Sequence, residues 1–588
     1  MFFGNNWHSA YLVYDAALLA AMLITSALAA MKMARLFREA GRERLLYLAG
    51  IVFVFLLVEL LLVQPTQQLY NDEFIHMSIA KGILYDNSIG ICSFSSPLHC
   101  VTGTSGLFQQ PTGWAMMLSV VFALAGVSFG SAYALVLALS ALSIILVFYI
   151  ARMLLDDWNV ALVSSLLFAA TPIFLTYSRS LVLDTPELTM MLLGVALLLT
   201  YLRRRDSIVG VAAAAALAYT TIMKVDAIVV VPIVATVVLL GLYSSSLKRK
   251  GWKRRMVLTA GVAVLFGALV VPQLAFLYNS WNANSFGAAS MQSRFSVSNF
   301  ISNLPQNVEF WYGGFGSIVF GRGYYTYNIE YPTTYAALAV IGFAFLAYAR
   351  RWRVAALLVV WFGVVFAFYT AYYAGGALYS AGDDIRYFMS AFPAVAMLAA
   401  FGTVESAKAI ANRLPARGKP RRKYDWSALA LGALLVVVML DPVYDFAVFV
   451  HKPPQDIYPF AAERFDQQFI MANYQKIPNG CFVLTYKPPL WYVLNKSNIY
   501  ADWIFLDSYK GTLLNMSRGC LYFDYSVSCT LNESAGGYDN SQLGCSHIMS
   551  NFTMEPVAQA PYDRFGWNIT FGIYRIVSYK NGTSLYNP

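Results

Sequence analysis

The sequence predicts a polytopic α-helical membrane protein with about twelve transmembrane helices and a C-terminal extracytoplasmic domain of mixed α/β character. Three observations carry the architecture. The 588 residues are 58% hydrophobic and 12% charged, with a mean hydropathy of +0.55, whereas a soluble protein is about 25% charged. Apolar runs recur from Tyr11 to Phe446, most of them near the ~20 residues that a spanning helix needs. Beyond Phe446 the chain turns polar and aromatic, and runs such as Cys481–Tyr486 and Phe571–Val577 read as strands. The net charge of +10 is no nucleic-acid signal, because the Lys and Arg residues gather in short loops between apolar runs, where the positive-inside rule puts them.

The first span runs from about Tyr11 to Met31 and the second from Leu45 to Val63, with Lys32, Arg35, Arg38, Arg42 and Arg44 in an internal loop between them. No cleavable leader is evident, since the start lacks a basic region and a small-residue cleavage site. An external segment over about 64–130 follows. It opens on Asn71-Asp72-Glu73, whose continuation through Ile75, Ile79 and Ala80 keeps helical spacing, as a short amphipathic helix on the membrane surface would. Trp114–Ala125 is apolar but short, and reads as a helix half-buried at the interface.

Spans at about Ser131–Ala151 and Asn159–Thr176 lead back out to Ser178-Arg179-Ser180-Leu181-Val182-Leu183-Asp184 and Glu187. The span Pro186–Tyr201 ends inside at Arg203-Arg204-Arg205, and the hairpin of Ile208–Ile222 and Ala227–Tyr243 has Lys224 and Asp226 at its outer tip. Basic residues at 248–255 precede the span Met256–Phe276, which opens an external loop over about 277–332. Spans at Thr333–Tyr348 and Val354–Tyr373 flank Arg350, Arg351 and Arg353. Asp383, Asp384 and Arg386 then stand outside, before the spans Phe388–Gly402 and Ala428–Phe446 and the internal basic tract Arg413–Lys423 between them. Residues 1–446 thus form a membrane module and 447–588 an external domain.

The external side is marked twice more. All six cysteines, Cys92, Cys100, Cys481, Cys520, Cys529 and Cys545, fall on it, which suits disulfides. Cys92 and Cys100 form the evident pair, and the other four allow three pairings. Asn-X-Ser/Thr sequons occur at Asn495, Asn515, Asn532, Asn551, Asn568 and Asn581 and nowhere else. They mark an N-glycosylated surface, as in an archaeon or a eukaryote. Four ionisable clusters converge on the same face: Asp72/Glu73, Arg179/Asp184/Glu187, Lys224/Asp226 and Asp383/Asp384/Arg386. Carboxylates beside hydrocarbon are expensive and point to function.

Asn71-Asp72-Glu73 with its helix resembles the first-loop acidic motif of GT-C glycosyltransferases, in particular the branch of dolichyl-phosphate-mannose protein mannosyltransferases and lipid A aminoarabinose transferases. The stretch from Ser178 to Asp184 is similar to that branch's Ser-Arg-Tyr-Ile-Leu-Leu-Asp motif. Lys224 resembles its Thr-Lys turn, and Arg386-Tyr387 with Pro393 its Arg-Tyr-X-X-Pro element. The resemblance covers about residues 45–405. It departs at Gln109-Gln110-Pro111-Thr112, where the branch has Glu-Lys-Pro-Pro or His-Pro-Pro, so that amides replace a charged donor contact. The Trp-Trp-Asp motif of oligosaccharyltransferases is absent, which argues against transfer of a preassembled glycan.

The resemblance implies an inverting membrane glycosyltransferase that moves a hexose or pentose from a polyprenyl-phosphate (dolichyl-phosphate) donor to a hydroxyl on a glycan, protein or lipid acceptor. Such chemistry needs one base and cations for the lipid phosphate. Asp72 is the expected base, Glu73 or Asp184 positions it or the acceptor, and Lys224 and Arg386, with Arg179 behind them, hold phosphate. Glu73 and His76 share a helical face, so Asp72, Glu73 and His76 are also a candidate divalent-cation set; no other cofactor is implied. The expected setting is a cell membrane or endomembrane, with the catalytic loops and C-terminal domain extracytoplasmic and no nucleic-acid partner. The rival readings are a flippase for a lipid-linked sugar, against which the lack of an internal repeat counts, and a surface scaffold acting through its terminal domain.

Overall fold

The computed structural model describes residues 7–63, 71–103, 112–224, 228–244, 252–282, 295–312, 331–372, 385–413, 426–451, 461–506, 520–529, 541–564 and 567–581. Gln109, Gln110, Pro111, Asp226, Asp383, Asp384, Asn515 and Asn532 lie outside the described residues.

Helices dominate the first three quarters of the chain: α1 (Trp7–Leu61), α2 (Asn71–Asp86), α3 (Gly113–Ala125), α4 (Phe129–Leu155), α5 (Trp158–Ala169), α6 (Pro172–Tyr177), α7 (Asp184–Arg204) and α8 (Ser207–Met223). They continue as α9 (Val230–Ser244), α10 (Trp252–Asn282), α11 (Val297–Tyr312), α12 (Thr333–Tyr348), α13 (Trp352–Thr370), α14 (Phe392–Arg413) and α15 (Trp426–Val450). Among the described residues, 8 helical segments are long and apolar enough to cross a membrane, and five shorter apolar helices accompany them. The chain is an integral membrane protein. Helices α7 and α14 are enclosed by the others, whereas the two halves of α1 and helix α10 turn most of their apolar surface outward.

Several boundaries differ from the sequence reading, each for a local reason. The basic segment 32–44 is helical on both sides of a kink at Gly41, whose φ 77° and ψ 159° separate the two helices that make up α1, one for each expected span. The expected span 159–176 divides at Ala170-Thr171, because Pro172 cannot continue a helix but can open one. The last-but-one span begins as a 3₁₀ turn over Ile385–Ala391 and then runs on to Arg413. Helix α3 is half-buried along its length rather than by face, buried from Gly113 to Ser119 and exposed at Leu124. Two glycines bring α12 and α14 into backbone contact: a Cβ on Gly342 would stand 2.0 Å from the Leu398 carbonyl oxygen, and one on Gly402 2.3 Å from that of Leu338.

The C-terminal part is mixed α/β, as expected. Helices α16 (Ala461–Asn473), α17 (Pro488–Val493) and α18 (Ser541–Asn551) pack with strands β3 (Phe482–Thr485), β4 (Ser497–Tyr500), β5 (Leu521–Tyr525), β6 (Phe552–Arg564) and β7 (Trp567–Tyr579). The sheet is larger than this domain. Strands β1 (Cys92–Ser95) and β2 (Cys100–Gly103) of the first external segment join it, giving the order β2-β1-β4-β3-β5-β7-β6. β1 pairs antiparallel with β4, Phe94 opposite Ile499, while β3 runs parallel to both β4 and β5. Disulfides close the hairpin (Cys92–Cys100), the starts of β3 and β5 (Cys481–Cys520), and the segment after β5 onto α18 (Cys529–Cys545). The pairing that sequence left open is therefore 481–520 and 529–545.

Helix α2 does not lie bare on a membrane surface. Nearly every residue from Glu73 to Ile83 is buried. The membrane helices cover one side, and Phe74 packs into the C-terminal core with Ala461, Ala462, Phe469 and Ile470 on the other.

Candidate active site

Four segments far apart in sequence meet where α2, α7, α8 and the 3₁₀ turn before α14 begin or end. Asp72 stands in the first turn of α2 and Asp184 in that of α7, positions where carboxylates oppose the positive end of the helix dipole. Lys224 follows the last turn of α8 in extended conformation. Arg386 lies in the 3₁₀ turn.

Their side chains form one alternating row. Arg386 Nη2 donates to Asp72 Oδ2 at 3.1 Å, its Nε stands 3.7 Å from Asp184 Oδ2, and Lys224 Nζ donates to Asp184 Oδ1 at 2.8 Å. The Asp184 side chain is 3% exposed and that of Asp72 35%. Asp184 is therefore the inner counter-ion that aligns two cations, and Asp72 is the carboxylate at the open end. Aromatic rings wall the lysine: Nζ lies 4.6 Å from the Tyr387 ring centroid and 3.4 Å from the Tyr369 hydroxyl, and the two rings stack at 5.4 Å. Such faces favour a cation in a water-poor site.

Glu73 points away from this row. Its Oε1 accepts from the Ser180 hydroxyl and, at 2.8 Å, from the Leu181 N–H. Trp114 Nε1 donates to the Leu181 carbonyl at 2.7 Å, so the loop leading to Asp184 is gripped from both sides. Burial pushes the Glu73 carboxyl up from its ordinary 4.5 to about 8, against the pull of Ser180, Leu181 and Arg386. It is thus mostly protonated at neutral pH and puts little charge beside Asp72. Burial also lowers the His76 imidazole to about 4, with Asp72 and Asp184 opposing and Arg386 assisting, so it is neutral. Neither ring nitrogen has a hydrogen-bond partner among the described residues. Nor, among the described residues, are three or more His, Cys, Asp or Glu side chains grouped to hold a metal ion, so Asp72, Glu73 and His76 form no such group with one another.

Arg179 is not in the row. Its Nη1 donates to the carbonyls of Glu59 and Val63, each at 2.8 Å, and so satisfies groups at the end of α1 that the helix itself leaves open. Glu187 is buried in the first turn of α7. Of the described sequon residues, Asn495, Asn551, Asn568 and Asn581 are all exposed.

Some of the surroundings had no signal in the sequence. The Tyr369 and Tyr387 walls come from ordinary-looking aromatic positions. Thr112, at the start of α3, donates to the Asp15 carboxylate of α1, and Tyr219 donates to the Gly113 carbonyl at 2.7 Å. Glycine is required there, because a Cβ would stand 2.6 Å from the Ile222 carbonyl oxygen. Burial pushes the Glu463 carboxyl of α16 up and Lys487 pulls it down, with Asp72 among the charges that raise it further, so the C-terminal domain brings a carboxyl within electrostatic reach of Asp72. Lys81, a charge among the apolar residues 79–84, is the sequence signal that could have pointed to such a partner.

Residues 109–276 match the family described as dolichyl-phosphate-mannose-protein mannosyltransferase. That segment holds Asp184 and Lys224 and leaves Asp72 and Arg386 outside it. No curated protein matches the chain. Among solved structures, ArnT from Cupriavidus metallidurans bound to undecaprenyl phosphate is similar with a TM-score of 0.53 at 14% identity, over 92% of this chain and 99% of that one. The archaeal oligosaccharyltransferase AglB from Archaeoglobus fulgidus, in complex with an inhibitory peptide and a dolichol-phosphate, is similar with a TM-score of 0.48 at 14% identity, over 90% of this chain and 74% of that one. The chain has the fold of the GT-C glycosyltransferases and resembles their protein mannosyltransferase and aminoarabinose transferase branch.

Proposed function

We propose that the protein is an inverting glycosyltransferase that moves a sugar from a polyprenyl-phosphate donor to an acceptor hydroxyl on the extracytoplasmic face. The observation that carries this reading is the alternating row Asp72–Arg386–Asp184–Lys224 with its accessible carboxylate at one end. The acceptor oxygen attacks the anomeric carbon on the face opposite the phosphate. The bond from that carbon to the phosphate oxygen breaks, its electrons leave with the lipid phosphate, and Asp72 takes the acceptor proton. A lipid phosphate is acidic enough to leave without a proton donor, so one carboxylate suffices and the configuration inverts. Lys224 as a point charge and Arg386 as a fork stabilise the phosphate as charge builds on it. The sequons and the disulfides support an extracytoplasmic C-terminal domain.

Two experiments test the reading. Purified protein in lipid nanodiscs, given dolichyl-phosphate-mannose or undecaprenyl-phosphate-aminoarabinose and an extract of its host's membranes as acceptor source, should consume one of them and release free lipid phosphate in equal amount. Movement of intact donor across a vesicle bilayer without consumption would instead mark a flippase.

The second uses Glu73. A glutamine presents the same acceptor oxygen to Ser180 and Leu181, and stays neutral. Glu73→Gln should therefore transfer within about threefold of the wild type at pH 7. A raised carboxyl pKa means that the fold holds this proton up to about pH 8; the stability that goes with it is complete below 4.5 and is lost as pH rises through 8. Wild-type activity should accordingly decline above pH 8 while the glutamine variant holds. An inactive Glu73→Gln protein that still binds lipid phosphate would move the base to Glu73.

A further inference from the structure

Helix α2 carries Asp72, and the C-terminal domain touches α2 at Phe74, Lys81 and Asp86. Phe74 and Lys81 are seven residues apart, two turns along one face of the helix, and Asp72 lies on the other side. Lys81 lies nine residues beyond Asp72, or about 13.5 Å along the axis at 1.5 Å per residue.

Lys81 is buried. Its ammonium donates to the carbonyl oxygens of Pro97 and Tyr492, each at 2.7 Å, and to Asn495 Oδ1 at 2.8 Å. It stands 4.1 Å from the centroid of the Tyr492 ring. An ammonium has three donors, and here each has an acceptor from outside α2: one from the β1–β2 hairpin and two from the end of α17 and the residues after it. The Tyr492 hydroxyl in turn lies 3.1 Å from both Asp86 Oδ2 and the Leu98 carbonyl oxygen, and the Cys100 N–H donates to Asp86 Oδ2 at 2.9 Å. The last turn of α2, the hairpin and α17 are thus tied in one knot with Lys81 at its centre.

Simple packing does not call for this. Burying an ammonium is costly even when its hydrogen bonds are made, and a leucine would fill the same face without that penalty. What three short directional bonds add over a leucine is a fixed distance and angle between the two parts. We propose that Lys81 is a positioning residue for the transfer reaction: it fastens the C-terminal domain to α2, and the domain thereby sets where Asp72 stands. The proposal rests on the transferase reading above, because it takes Asp72 as the catalytic group.

The test compares full-length wild-type, Lys81→Met and Asn495→Asp proteins in nanodiscs. Methionine keeps the length and loses the donors. Aspartate keeps the acceptor oxygen for Lys81 and removes the nitrogen that would carry a glycan. Three quantities are read: transfer from saturating dolichyl-phosphate-mannose, or from undecaprenyl-phosphate-aminoarabinose if that is the donor consumed; affinity for dolichyl phosphate alone; and amide hydrogen exchange over residues 71–86. In Lys81→Met, transfer should fall about ten- to a hundredfold, the penalty of a reacting group displaced by about 1 Å. Dolichyl phosphate affinity should stay within about threefold, and exchange over 71–86 should quicken about tenfold or more, while α7 and α14 exchange as before. Asn495→Asp should match the wild type in all three.

Wild-type transfer by Lys81→Met overturns the proposal, and so does lost transfer with unaltered exchange over 71–86. If Lys81→Met does not purify folded, Tyr492→Phe takes its place. It loses the bonds to Asp86 and Leu98 but keeps the ring, and unaltered exchange over 71–86 would overturn the proposal equally. Failure of the transferase reading shows differently: the wild type consumes neither donor, and the exchange comparison alone then decides whether Lys81 fastens α2.

Discussion

Asp72→Asn is expected to abolish sugar transfer while the protein still folds and still binds a polyprenyl phosphate. Asparagine nearly matches aspartate in size, and its oxygen can go on accepting from Arg386, which stands 3.1 Å from the carboxylate. Packing around the first turn of α2 should therefore survive. What is lost is basicity: an amide takes no proton near neutral pH, so the acceptor hydroxyl remains a poor nucleophile. Loss of a general base lowers rates by about 10²–10⁴. The loss should fall on the chemical step at saturating donor and leave donor affinity near its wild-type value. The opposite split, weakened donor binding with normal turnover, would make Asp72 a partner of Arg386 and no more, and the base would have to be sought elsewhere.

Replacing the cations should do the converse. Lys224→Met and Arg386→Met are each expected to weaken binding of dolichyl phosphate by about 1.5–3 kcal/mol, the worth of a charged hydrogen bond, or roughly ten- to a hundredfold in affinity. One complication is built into the row. Asp184 sits between the two cations, and removing one partner of a buried pair leaves a carboxylate poorly compensated, which destabilises by about 3–5 kcal/mol. Asp184→Asn made together with Lys224→Met removes that complication. If Lys224 contacts the donor phosphate, single and double variants should bind dolichyl phosphate equally weakly. If binding returns in the double variant, the single substitution had acted by disturbing Asp184, and Lys224 is no phosphate ligand.

The convergence of Asp72, Asp184, Lys224 and Arg386 was legible because it follows from parity. Each residue stands at or beyond the same expected end of an apolar span, and basic short loops fix which end that is, so counting spans is enough to bring the four to one face. What was not legible is which side chains on that face touch. Glu73 looks like the twin of Asp72, yet one residue of helix rotates it about 100° toward Ser180 and Leu181, and it becomes a brace for the next motif. Arg179 looks like a phosphate ligand and instead caps α1, because the open carbonyls of Glu59 and Val63 arrive from 120 and 116 residues earlier. The reading of α2 as a surface helix failed on the same account: its apolar residues announce burial, but not that the C-terminal domain supplies the socket for Phe74.

The shared sheet also fixes when this protein can become complete. Strand β1 belongs to the first external segment, but its partner β4 is made about 400 residues later, Phe94 facing Ile499. At a synthesis rate of roughly 5–20 residues per second, the hairpin waits about 20–80 s with an unpaired edge, while the intervening membrane helices are inserted. During that interval α2 has no Phe74 socket and no acceptors from Tyr492 or Asn495 for Lys81. Until then the membrane module lacks the contacts that Tyr492 and Asn495 make with Lys81, and on the proposal above it is this late-made stretch that fastens α2 and so sets the place of Asp72.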